Sequence, residues 1–188
     1  MLALCVAADS VRRICLGLFF AALHEAGHLG VMAFFRVRPR RIALTAAGMR
    51  IDRAPGLRLS FRQEIAIALA GPAASLCLAA LFACLQRLPG TGAPWQSYLL
   101  ENGLWLNLGF GLLNLLPLRQ LDGGRALYFA LSLALAQRTA NRLVLAASLL
   151  LLTATGLLFT LSCLENSVSM PLLLLFGYFA LCCVTPVI

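Results

Sequence analysis

The sequence predicts an all-α polytopic membrane protein with about five transmembrane helices and a small β-hairpin between the first and second. Three observations lead there. Of the 188 residues, 61% are hydrophobic and only 12% are charged, about half the charged share of a soluble domain. Mean hydropathy is +0.90, more apolar surface than a soluble protein of this size can hide, so lipid must be the solvent for most of it. The apolar residues gather into runs near the roughly 20 needed to cross hydrocarbon, parted by short Arg-rich loops. Such spans use nearly the whole chain, and no appended soluble domain is expected.

The first span is expected from about Ile14 to Phe35. The segment from Arg36 to Arg62 is basic. Within it Ile42 and Leu44 alternate with small or polar neighbours, and Met49 and Ile51 alternate with Arg50 and Asp52, around Ala46-Ala47-Gly48. That alternation reads as a hairpin with Gly48 in the turn, closed by Pro55-Gly56. A second span follows from about Gln63 to Gln86. Its Ala70-Gly71-Pro72-Ala73-Ala74-Ser75 run lets helices approach closely in lipid, and Pro72 is expected to bend it. After a Pro- and Gly-rich loop with Trp95 at the interface, a third span from about Tyr98 to Pro117 leads into a short helix from Gly124 to about Ala136. Two further apolar runs, about Leu143–Leu161 and Pro171–Ile188, hold no charged residue and read as scaffold.

The formal net charge is +8, and all fifteen basic residues are Arg. Eight lie between Arg36 and Arg62, and four more (Arg119, Arg125, Arg138, Arg142) crowd a second junction. Basic loops beside apolar spans mark the cytoplasmic side. Those twelve are therefore placed inside, with Arg12, Arg13 and Arg87 outside, so the first span runs outside to inside. A nucleic-acid groove face explains this distribution less well, and no nucleic-acid partner is expected. The seven cysteines form no C-x-x-C pair and sit mostly in apolar runs, where Cys packs as a small hydrophobe. The N-terminus does not read as a cleaved signal, because the first apolar run carries the chemistry.

That chemistry is His24-Glu25-Ala26-Gly27-His28, a complete H-E-x-x-H. Residues four apart on a helix lie one turn above each other, so both imidazoles can reach one metal ion. Two neutral nitrogens suit Zn²⁺ and leave positions for a third ligand and a water. Glu25, beside the first His, stands to take a proton from that water. A carboxylate near mid-helix in lipid costs about 2.5–3.5 kcal/mol, which a dication with a third anionic ligand would offset. The competing reading is a polar helix-packing patch, with His24 and His28 bonded to carbonyls.

No third histidine exists, so the third ligand is sought among Asp122, Glu101, Glu64, Asp52 and the cysteines. Asp122 stands out because it follows Asn114-Leu-Leu-Pro117 and precedes Gly123-Gly124. Pro117 breaks the helix, and the glycines allow close approach. Irregular backbone at that depth needs protein or a wet cavity around it. Taken alone, Asp122 also fits as the N-cap of the short helix after it; beside H-E-x-x-H the ligand reading is preferred.

These pieces, in this order, resemble the site-2 protease family of intramembrane metalloproteases. The match is H-E-x-x-H in a membrane helix (His24, Glu25, His28), Gly-Pro in the next (Gly71, Pro72), and N-x-x-P-x-x-x-x-D-G (Asn114, Pro117, Asp122, Gly123). It spans roughly residues 15–135 and is nearest to the small branch that processes a sporulation sigma-factor precursor. The resemblance implies zinc on His24, His28 and Asp122, with Glu25 as general base. It further implies that Asn114 helps hold the substrate strand and that the hairpin is a small re-entrant sheet offering it an edge. Residues 1–188 would then form one membrane-embedded protease domain, with a catalytic core at about 15–135 and additional helices at about 143–188. The active site would face the cytoplasm from the cell membrane, and the substrate would be a membrane-associated protein. Neither a PDZ nor a CBS domain is expected from these residues, so control would come from partner proteins, such as regulatory membrane proteins, or from substrate presentation. Ser75 stands where the family often has Asn. Two rivals remain: a zinc protease using a distant Glu as third ligand, and a non-catalytic metal-binding subunit or proton-coupled transporter fragment.

Overall fold

The computed structural model describes residues 11–37, 39–45, 48–53, 59–88, 93–164 and 170–184. In chain order the elements are α1 (Val11–Phe34), β1 (Pro39–Thr45), β2 (Gly48–Arg53), α2 (Phe61–Leu85), α3 (Pro94–Leu115), α4 (Asp122–Leu131), α5 (Gln137–Leu164) and α6 (Met170–Val184). Three of them, α1, α2 and α5, are long and apolar enough to cross a membrane. Of the other two expected spans, α3 has 22 residues but carries Glu101, Asn102, Asn107 and Asn114, and α6 is apolar but has 15.

Local chemistry moves the helix ends from where periodicity alone puts them. Helix α2 begins before Gln63 because Ser60 caps it. The Gln63 N–H donates to Ser60 Oγ at 3.3 Å, and the Ser60 N–H donates to Gln63 Oε1 at 2.9 Å, which satisfies two of the helix's otherwise unpaired donors. Helix α1 ends on Arg36, which takes a left-handed φ of 57°. Its N–H reaches the Ala33 carbonyl at 2.9 Å, and the Val37 N–H reaches back to Met32 at 2.8 Å. This is a Schellman closure. Met32 and Val37 then pack together with Ile67 of α2 in a buried cluster.

Strands β1 and β2 pair antiparallel, with Thr45 opposite Gly48, Leu44 opposite Met49 and Ile42 opposite Ile51. Gly48, expected in the turn, opens β2 instead. Residues 46 and 47 and Pro55-Gly56 lie outside the described residues.

Helix α2 is the centre of the bundle: α1, α3 and α4 all pack on it. Small residues bring α1 and α2 together. A Cβ at Gly27 would come within 2.7 Å of the Ala70 carbonyl and 2.8 Å of Ala74 Cβ, so no larger residue fits without parting the helices. At the far end, Phe20 meets Phe82 edge-on at 5.5 Å.

The break after α3 is tightly held. Leu118 and Leu121 pack with Tyr178 and Phe179 of α6 in a second buried cluster. Ser148 of α5, 1% exposed, accepts the Arg119 N–H at 3.1 Å, and its hydroxyl faces the Pro117 carbonyl at 3.3 Å and the Val144 carbonyl at 2.8 Å. Backbone groups freed by Pro117 thus find a partner away from water. Gly123 and Gly124 lie directly against the backbone carbonyls of Leu115 and Leu118. We expect Gly124→Ala to push α4 off this loop and lower the thermal midpoint by several degrees in a melting experiment.

Candidate metal centre

His24 and His28, both buried, project from α1 over Gly71 of α2. Asp122 reaches them from the start of α4. Its Oδ2 lies 3.1 Å from His24 Nε2 and 3.2 Å from His28 Nε2. Among the described residues, these three form a group whose ligand atoms all lie within 4.8 Å of one another. Asp122 does not act as the N-cap of α4; that place is Leu121, and the carboxylate turns to the imidazoles instead. Burial raises the Asp122 carboxyl, and the two imidazoles lower it by more only where their Nε2 atoms turn hydrogen toward it.

The opposite ring nitrogens decide what this group can do. His28 Nδ1 lies 2.7 Å from the Ile67 carbonyl, an acceptor only, so Nδ1 must carry the proton. A neutral His28 then presents a bare lone pair at Nε2 to the Asp122 carboxylate. Two acceptors at 3.2 Å repel unless something positive lies between them. His24 Nδ1 pairs with Ser75 Oγ at 2.9 Å, which permits the same tautomer. Two nitrogens, each aimed by an outer partner, and one carboxylate oxygen form a donor set suited to a divalent ion. The two histidine–carboxylate separations, 3.1 and 3.2 Å, leave all three atoms within reach of one shared ion. The residues fit a metal.

The site's remaining wall is built for space. A Cβ on Gly71 would fall on His28 Nε2 and lie 2.6 Å from His24 Nε2, so only glycine leaves room for the imidazoles. Glu25 follows His24 on α1 and is half-buried, within the field of His24, His28, Asp122 and Arg125 of α4. Asn114 is 8% exposed on α3, its Nδ2 donating to the Phe110 carbonyl at 3.0 Å.

Of the other proposed ligands, Glu101 is exposed, and neither it nor Glu64 joins the group. Cys15, Cys77 and Cys84 are exposed and Cys163 half-buried, all unpaired as thiols. The Asp52 side chain lies outside the described residues. Sequence reasoning gave Ser75 no role and did not identify the Ile67 carbonyl or Ser148. Ser75 carried a signal, as the one hydroxyl a turn beyond Gly71 on a face of small residues. A backbone carbonyl carries none.

No family model matches the chain. Stage IV sporulation protein FB of Bacillus subtilis (strain 168) is 29% identical to it over 144 residues, which takes in 72% of this chain and 46% of that protein. The chain thus spans about half the length of this curated relative. The site-2 protease from Methanocaldococcus jannaschii superimposes with a TM-score of 0.65 at 24% sequence identity, covering 99% of this chain and 85% of that one. In fold, as in its three motifs, this chain resembles the site-2 protease family.

Proposed function

We propose that the chain is an intramembrane zinc metalloprotease of the site-2 type, hydrolysing peptide bonds of membrane-associated proteins within or near the bilayer. The observation that carries this reading is the convergence of three electron-pair donors, His24 Nε2, His28 Nε2 and Asp122 Oδ2, beside an acid in mid-helix. Residues 1–188 act as one protease domain, with α3 and α6 completing five spans. The active site faces the cytoplasm from the cell membrane, in keeping with the twelve Arg at those loop positions.

His24, His28 and Asp122 would hold Zn²⁺, which when bound supplies Lewis acidity to a water and to the scissile carbonyl. Glu25 takes the proton from that water and returns it to the leaving amine. The Ile67 carbonyl and Ser75 fix the imidazole planes. A helical substrate hides its carbonyls in hydrogen bonds, so a short segment must unwind. The β1–β2 hairpin, as a re-entrant edge, and Asn114 would hold that segment extended. The substrate class we favour is a single-span or membrane-bound precursor, such as a sporulation sigma-factor precursor, presented with regulatory membrane proteins.

The deciding experiment co-expresses the protein with candidate single-span substrates and compares it with Glu25→Gln. Cleavage is expected to fall roughly 10²–10⁴-fold while zinc content is unchanged, because Gln keeps the shape and loses the base. Normal turnover in that variant would end the proposal and favour a non-catalytic metal-binding subunit.

A further inference from the structure

The chain has fifteen Arg against seven acidic residues, so many of its cations need a counter-charge from outside the protein. Ion pairs between described residues join Asp122 to His24 and His28 and involve no Arg. Two of the Arg, Arg138 and Arg142, stand together on the first turns of α5, both exposed. Four residues apart, they lie on one helix face with Cβ atoms about 5–6 Å apart, close enough to grip a single phosphate. Helix α5 has no acid in its first turn, so the partial positive charge of its N-terminus adds to theirs.

The length of α5 sets the depth of this pair. Its uncharged stretch from Leu143 to Leu164 spans about 33 Å, enough by itself for a hydrocarbon core of about 30 Å. Gln137 to Arg142 therefore stand in the headgroup layer. The turn that leads there from α4 is apolar and faces outward, with Leu133 55% and Leu135 40% exposed. Its backbone is closed. The N–H groups of Leu133, Ala134 and Leu135 bond back to the carbonyls of Ala130 and Leu131, and Ser132 donates its hydroxyl hydrogen to the Tyr128 carbonyl at 2.7 Å. Such a turn enters the membrane interface without open donors. Exposed leucines beside Arg are the composition of an interfacial anchor.

We infer that the α4–α5 turn is a binding site for anionic phospholipid, with Leu133 and Leu135 set into the interface and Arg138 and Arg142 sharing one headgroup phosphate. Guanidinium suits that partner because it meets phosphate oxygens with two hydrogen bonds at once. A zwitterionic headgroup carries its own ammonium beside the phosphate and gains less from two Arg. Arg12 and Arg13 at the start of α1 are exposed as well, but neighbours in sequence point about 100° apart on a helix and do not share one phosphate. Helix α4 carries Asp122 at its other end, about 15 Å away, so lipid held at the turn fixes how deep Asp122 lies below the headgroups. Nothing in this site depends on a bound metal or on protease activity.

The test uses the full chain in non-ionic detergent. Dioleoylphosphatidylglycerol and dioleoylphosphatidylcholine compete, each in turn, against a fluorescent phosphatidylglycerol, and melting checks that every variant is folded. In the wild type the anionic lipid is expected to win by roughly 25-fold, about fivefold from each Arg, and by less at high salt. The Arg138→Gln, Arg142→Gln double variant should bind the two lipids alike. Arg138→Lys, Arg142→Lys keeps the charge without the paired hydrogen bonds and should fall between it and the wild type. Arg12→Gln, Arg13→Gln removes the same charge elsewhere and should keep the full preference. Leu133→Ser, Leu135→Ser should weaken both lipids equally. Inorganic phosphate should not displace the fluorescent lipid, because it has no chains for the leucines to meet. Equal affinity of the wild type for the two lipids overturns the inference. So does an equal loss in the two Gln doubles, which would make net charge the cause, and so does displacement by inorganic phosphate, which would make the ligand a free anion.

Discussion

Gly71→Ala is expected to destroy the metal centre, lowering zinc affinity by more than the roughly 10–100-fold that outer partners of a ligand contribute. Hydrolysis should be lost with it. The added methyl would occupy the space where the two imidazoles meet, on His28 Nε2 and 2.6 Å from His24 Nε2. Neither ring can withdraw. Each is buried, and each is tied at Nδ1, to Ser75 at 2.9 Å and to Ile67 at 2.7 Å. Relief by parting α1 from α2 would undo the adjacent contact of Gly27 with Ala70 and Ala74. Gly30→Ala supplies the control, because a Cβ there meets nothing within 4 Å. Alanine in a helix is favoured over glycine by roughly 0.5–1 kcal/mol, so Gly30→Ala should keep zinc and melt no lower than the wild type. Chelator competition and melting of the metal-free protein measure both. Wild-type zinc affinity in Gly71→Ala would mean that the imidazoles do not occupy the positions described.

The same glycine shows how far the sequence could be read. Its place in a small-residue run announced a close helix crossing, but the run did not say what crossed there. His24 and His28 were legible because four-residue spacing on a helix is a fixed geometry. Asp122 was legible through its neighbours, since Pro117, Gly123 and Gly124 mark a chain that breaks and comes close. The partners that aim the imidazoles were not. Ile67 acts through its backbone, which has no residue signature, and Ser75 is one hydroxyl in a run of small residues; Ser148, which holds the broken loop rather than an imidazole, is likewise one hydroxyl in an apolar run. Helix ends shifted for similar reasons. The Ser60–Gln63 box sits ahead of the first apolar residue, and Arg36 closes α1 in a conformation usually left to glycine.

Asp122→Asn should separate the metal from the fold more cleanly than any other change at this site. The two side chains are nearly the same shape, so the α4 start and its contacts with Leu115 and Leu118 should survive. The charge does not. Two neutral imidazoles and a neutral amide cannot compensate a dication in a site where the ligand residues are 5–6% exposed for the histidines, and burying such a charge unpaired is costly. An amide also donates where the carboxylate only accepts. Its N–H groups can satisfy the Nε2 lone pairs of His24 and His28 at the existing 3.1 and 3.2 Å spacing. The metal-free variant should therefore melt at or above the metal-free wild type, while zinc no longer raises its melting temperature and cleavage falls at least as far as in Glu25→Gln. Glu101→Gln, changing an exposed acid on α3, should alter none of these. Loss of zinc in Glu101→Gln with retention in Asp122→Asn would assign the third ligand to a glutamate. It would also leave the carboxylate at the head of α4 without a reason to face two lone pairs.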